Sequence, residues 1–148
     1  MQALFTIKRS GAARVGEVFK YDGKLFVITH MVKILACDRE GHLQLEVVAQ
    51  QYGLPAEYDD VGRFYQYEKR YLEGKDRRGK TYDEAGQAYP ISKEKCGFVS
   101  QILFVKPEQE ELTVHYSLQR FVPWSEEEMK RAVKKERLAT FKVIDGQG

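Results

Sequence analysis

Asp22-Gly23 stands between two short runs rich in β-branched and aromatic residues, Gly16-Glu17-Val18-Phe19-Lys20-Tyr21 and Lys24-Leu25-Phe26-Val27-Ile28-Thr29. A two-residue Asp-Gly connection selects a type I′ turn, because both central residues must tolerate positive φ and the twist of that turn matches the strands it joins. This is an antiparallel hairpin. Short runs of the same kind, separated by turn residues, recur along the chain and predict an antiparallel β domain.

A second hairpin is expected from residues 32–37 and 42–49 around Asp38-Arg39-Glu40-Gly41, and a third from residues 98–105 and 112–118 around residues 107–111. In the last of these strands Leu112, Val114, Tyr116 and Leu118 share one face, and Thr113, His115, Ser117 and Gln119 the other. Leu4-Phe5-Thr6-Ile7 and residues 139–144 read as two terminal strands, which would help close a barrel. One helix is predicted over 126–138. Ser125 is a suitable N-cap with Glu128 at capping-box spacing, and Trp124 can staple onto Met129. Glu126, Glu127 and Glu128 open the helix while Lys134, Lys135 and Arg137 close it, in agreement with the helix dipole. Met129, Ala132 and Val133 make a narrow apolar stripe, opposite Lys130, Arg131, Lys134, Lys135 and Arg137. The spacing Gly16-x-Val18-Phe19-x-Tyr21-x-Gly23 resembles small SH3-like barrels, a likeness confined to this hairpin that does not fix function.

The fold expected is therefore α+β and mainly β: an antiparallel, partly closed barrel or curved sheet with one C-terminal helix. Between Gly53 and Gly97 the pattern gives way to a long polar insertion. It contains one strand-like piece, residues 63–72, and a stretch rich in Gly, Lys, Arg and Asp running to Gly86. Loops longer than ~12–15 residues are usually functional or mobile rather than mere connections. No internal repeat is visible, so residues 1–148 read as a single domain with the insertion (53–97) inside it. At 148 residues the chain can bury a core without disulfide or metal staples. Cys37 and Cys96 read as small buried hydrophobes in a reducing compartment. No apolar run reaches the ~20 residues of a membrane helix, and residues 1–9 lack a secretory signal pattern. A cytoplasmic protein without a membrane partner is expected.

Global charge points to no partner, since 24 Lys and Arg balance 22 Asp and Glu. The three histidines, His30, His42 and His115, are not spaced to converge on a metal. No GxSxG, GxxxxGK[ST] or GxGxxG pattern is present. His42 and His115 could pair across one phosphate as base and acid, which makes a small phosphoesterase the weakest of three readings. Against it, Gln44 stands where the second hydroxyl of such a motif belongs, and a polar-face histidine needs no catalytic explanation. The acidic clusters Glu57, Asp59, Asp60 and Glu108, Glu110, Glu111 fall in predicted turns and read as solvated charge rather than cation ligands. No cofactor, metal or catalytic residue is expected.

The richest constellation is the strand-like piece in the insertion. Arg63, Tyr65, Tyr67, Lys69 and Tyr71 alternate onto one face, and Lys75, Arg77, Arg78 and Lys80 follow. Rings that stack on unpaired bases beside cations that neutralise phosphates are the chemistry of nucleic-acid binders. With Lys130 and Lys134 on the basic helix face extending the footprint, the expectation is a small non-catalytic binding module that engages nucleic acid. The alternative is a protein-interaction or homo-oligomerisation module in which the tyrosines form an aromatic interface and exposed strand edges add to a partner. Tyrosines at period two also suit a half-buried strand with no ligand at all.

Overall fold

At the first hairpin Asp22 and Gly23 both adopt positive φ, 50° and 73°, as the type I′ turn requires. The computed structural model describes residues 1–72 and 82–147, with side chains as far as Leu138. Its strands are β1 (Gln2–Ser10), β2 (Val18–Tyr21), β3 (Lys24–Cys37), β4 (His42–Gln51), β5 (Phe64–Leu72), β6 (Ala88–Pro90), β7 (Cys96–Pro107) and β8 (Glu111–Arg120), followed by the helix α1 (Glu126–Gln147). The protein is mainly β, with two curled antiparallel four-stranded sheets in the order β1-β4-β3-β2 and β5-β8-β7-β6.

The chain divides into two compact units. The first comprises Met1–Tyr58 and Val122–Gly148, the second Asp59–Phe121. In the first unit Ile7, Ile28, Leu45 and Val47 form a buried cluster, against which Phe5 and Phe19 pack. A second cluster joins Val27 of β3 to Met129 and Val133 of α1, with Trp124 and Ala132 beside it. The apolar stripe of the helix is thus the face it buries. At its start Ser125 Oγ accepts the Glu128 amide at 3.2 Å, satisfying one of the unpaired donors of the first turn. Residues 139–144, expected as a closing strand, instead continue α1 to Gln147. Once a helix is nucleated, each added residue gains a backbone hydrogen bond, and that outweighs the β preference of a short Phe-Lys-Val-Ile run.

The two sheets repeat one another, contrary to the reading of the sequence as free of repeats. Strands β1 to β4 correspond in order, direction and pairing to β5 to β8. The agreement extends to single hydrogen bonds. Gly16 and Glu17 bracket Ile28 through their backbones, as Gly86 and Gln87 bracket Val99. The Tyr52 amide donates to Leu25 and the Phe121 amide to Cys96. Thr29 Oγ1 bonds the Val48 carbonyl, as Ser100 Oγ bonds that of Ser117. The register of β3 on β4 slips between Ile28 and His30 and between Met31 and Lys33; that of β7 on β8 slips between Val99 and Gln101 and between Ile102 and Phe104. These two bulges fall at matching places, while a third in β3, between Ile34 and Ala36, has no counterpart in β7. The repeat resides in main-chain pairing, which many side chains can satisfy, so it leaves little trace in residue identity.

Gly97 stands where the second sheet leaves no room for a side chain. A Cβ there would stand 2.7 Å from the Gln119 carbonyl oxygen and 2.8 Å from Ile91 Cδ1. The backbone oxygen cannot swing aside, so Gly97→Ala is expected to destabilise the second unit by about 1–3 kcal/mol, measured as a shift in its denaturant midpoint.

Candidate functional site

Strand β5 alternates as its sequence predicts, but in the opposite sense. Tyr65, Tyr67, Lys69 and Tyr71 do share a face, and that face turns inward; Phe64, Gln66, Glu68, Arg70 and Leu72 point outward. Tyr71 is 1% exposed and joins Val99, Val114, Tyr116 and Leu118 in the core, with Tyr65 and Tyr67 packed against them. The Tyr67 ring lies stacked between Tyr89 and Tyr116, at 4.6 and 4.8 Å between centroids. The expectation of rings offered outward is thus corrected.

The reversal has a local cause, because two carboxylates meet the hydroxyls inside. Tyr65 donates to Asp60 at 2.5 Å and Tyr67 to Asp83 at 2.7 Å, while the Tyr71 and Tyr116 hydroxyls bond each other at 2.7 Å. Lys69 Nζ also reaches Asp83, at 3.2 Å. Asp60 is only 4% exposed and holds, besides Tyr65, the ammonium of Lys95 at 2.9 Å and the guanidinium of Arg120. Burial alone would raise its pKa, but the bonds from Tyr65, Lys95 and Arg120 outweigh burial and hold the carboxyl well below the usual range. Asp60 is therefore not the solvated turn charge its sequence context implied. The Tyr67 hydroxyl is pushed above its ordinary value by burial first and by Asp83 second.

The other expected binding residues are not gathered with these. Arg63 is exposed just before β5, and Lys130 and Lys134 are exposed on α1 in the first unit. Lys75, Arg77, Arg78 and Lys80 lie outside the described residues. His42 belongs to the first unit and bonds Asp38 at 2.7 Å. His115 belongs to the second, where Glu68 lies 3.7 Å away and the Phe104 ring meets it edge-on. Asp38, Glu40 and His42 bring their ligand atoms within 4.8 Å of one another, all exposed; Asp38 Oδ1 there accepts the amides of Glu40 and His42, which is a turn-forming role. Cys96 is buried, which pushes its thiol up to about 11, whereas Cys37 is exposed, contrary to expectation.

What the molecule does present outward lies on its two longest strands. β2 covers β3 only along its first residues and β6 covers β7 only from Cys96 to Phe98. Beyond the Ile28 and Val99 bonds, no described strand pairs with the outer edge of β3 over 31–37 or of β7 over 101–106. Exposed apolar side chains gather on these same stretches: Met31, Ile34 and Leu35 on β3, and the unbroken series Ile102, Leu103, Phe104 and Val105 on β7. Ile34 is 69% exposed and Phe104 50%. Around the first stretch Ala13, Leu43 and Leu45 complete a shallow apolar concavity. Unpaired backbone beside contiguous apolar surface is a template for an added strand. An apolar run without alternation at 102–105 was the available sequence signal for it.

The Asp60 network sets an acid limit on the second unit. Its folded pKa lies below the unfolded value of ~3.9, so its contribution is complete above that value and is lost as pH falls through and below it. Acid titration followed by tyrosine absorbance should show the second unit loosening in this range. Arg120→Ala, which strips the buried carboxylate of one cation, is expected to cost about 3 kcal/mol by chemical denaturation at neutral pH. Among the described residues no helix is long and apolar enough to cross a membrane. Comparison of the chain with protein-family models, with curated proteins and with solved structures returned no match.

Proposed function

We propose that the protein is a non-catalytic interaction module that takes up extended protein segments along the outer edges of β3 and β7. One observation carries this reading: in both units the same long strand outruns its covering neighbour and bears exposed apolar side chains over the uncovered length. Backbone donors and acceptors on such an edge supply affinity, and the apolar side chains supply preference for a partner of similar character.

The nucleic-acid reading draws less support. Its aromatic face is internal, with the Tyr65 and Tyr67 hydroxyls held by Asp60 and Asp83, and Lys69 faces Asp83 rather than a phosphate. Of its described cations, Arg63, Lys130 and Lys134 are the exposed ones.

Titration with a fluorescent peptide of alternating Val and Thr distinguishes these readings. Strand capture predicts saturable binding that changes little between ~50 and ~200 mM salt, whereas phosphate contacts would make affinity fall steeply over that range. Ile34→Glu and Ile102→Glu, both at exposed positions, should each weaken peptide binding without altering the far-ultraviolet circular dichroism. Absent peptide binding together with salt-steep binding of a single-stranded oligonucleotide would move the case to nucleic acid.

A further inference from the structure

The internal repeat lets the two edges be compared position by position, and they differ at one telling place. Lys33 follows the second bulge of β3 and is paired with Glu46; Phe104 follows the second bulge of β7 and is paired with His115. Both are exposed. A lysine on an open edge is a common device that weakens pairing with an apolar strand, which must desolvate the charge, and it makes β3 the weaker of the two edges without closing it. The first unit carries that device and the second carries a phenylalanine in its place.

Around Phe104 the edge is uncharged from Gln101 to Val105. Antiparallel pairing of two such edges about Leu103 sets Ile102 opposite Phe104 and Gln101 opposite Val105. It leaves Lys106 across from Ser100, so no like charges meet. The same manoeuvre on β3 centres on Val32, the counterpart of Leu103, and would set the Lys33 of each copy against Met31, desolvating two ammonium groups in an apolar seam. From this charge pattern we infer that the occupant of the β7 edge is a second copy of the chain, giving a two-fold dimer that joins two β5-β8-β7-β6 sheets through their β7 strands. Such an interface is isologous, each copy presenting the same residues to the other. The inference rests on the edge-binding reading above and names its partner.

The test measures the mass of the full chain in solution across a range of concentrations, with reciprocal exchange of the two edge residues. Dimers are expected for the natural sequence. Phe104→Lys should weaken dimerisation on the order of thirtyfold or more, as for a central interface residue, while circular dichroism stays unchanged because the side chain is half exposed. Lys33→Phe should open a second self-pairing edge and produce species larger than dimers. A natural chain that stays monomeric throughout, or a dimer indifferent to Phe104→Lys, overturns the proposal. A peptide copying residues 99–107 separates its failure from that of the broader reading. Binding of that peptide to a monomeric chain sinks self-association but leaves strand capture standing, and absence of both sinks the two together.

Discussion

Backbone hydrogen bonding on the uncovered side of the long strands governs the rest of this structure. β3 has 14 residues and its outer neighbour β2 has 4; β7 has 12 and β6 has 3. A short neighbour satisfies the first part of a long strand and leaves the remainder to solvent or to another chain. The inner ladders with β4 and β8 hold the long strands extended over their full length, so the unpaired portion stays strand-like and ready to pair. Where the flanking strand stops, apolar side chains emerge, and the proposed docking surface follows from that arrangement of lengths.

The same backbone plan is stabilised by two different interiors. In the first unit the position of β1 that faces β2 carries Phe5, whose ring meets Phe19, Tyr21 and Phe26 edge-on. In the second, the equivalent place on β5 carries Tyr67, stacked between two further tyrosines with its hydroxyl on Asp83. An aromatic cluster without buried carboxylates tolerates acid. A core that buries carboxylates depends on every partner being present, since removal of one leaves a charge in a poorly hydrated place. One unit is thereby sensitive to acid at a point where the other is not.

Much of the fold was legible because its signals are local. Asp22-Gly23 requires a particular turn, Ser125 and Glu128 mark a helix start, and alternation along residues 112–118 separates two faces. The end of α1 was not legible, since helix propagation overrides a β-branched run only in the presence of the helix before it. In β5 the alternation was readable but its sense was not. Which face turns inward is decided by Asp60, which accepts the Tyr65 hydroxyl and is held by Arg120 from the far end of the unit, and by Asp83, which accepts the Tyr67 hydroxyl, and this set comes together only in the folded sheet. The open edges were half legible: exposed strand edges were expected, but which strands stay uncovered depends on where β2 and β6 end. The repeat left no readable pattern because it lies in main-chain pairing, and each sheet fills its equivalent rungs to suit its own interior, with Phe26 in one where the other has Gly97.

The paired bulges carry one more implication. Each adds local right-handed twist to the strand end that lies open, and twist accumulates across every strand added to a sheet. Fibrils of the cross-β kind need flat, in-register layers that stack without limit. A sheet growing outward from such a bulged border turns away from that geometry, so the contorted ladder that leaves these edges open also limits growth from them.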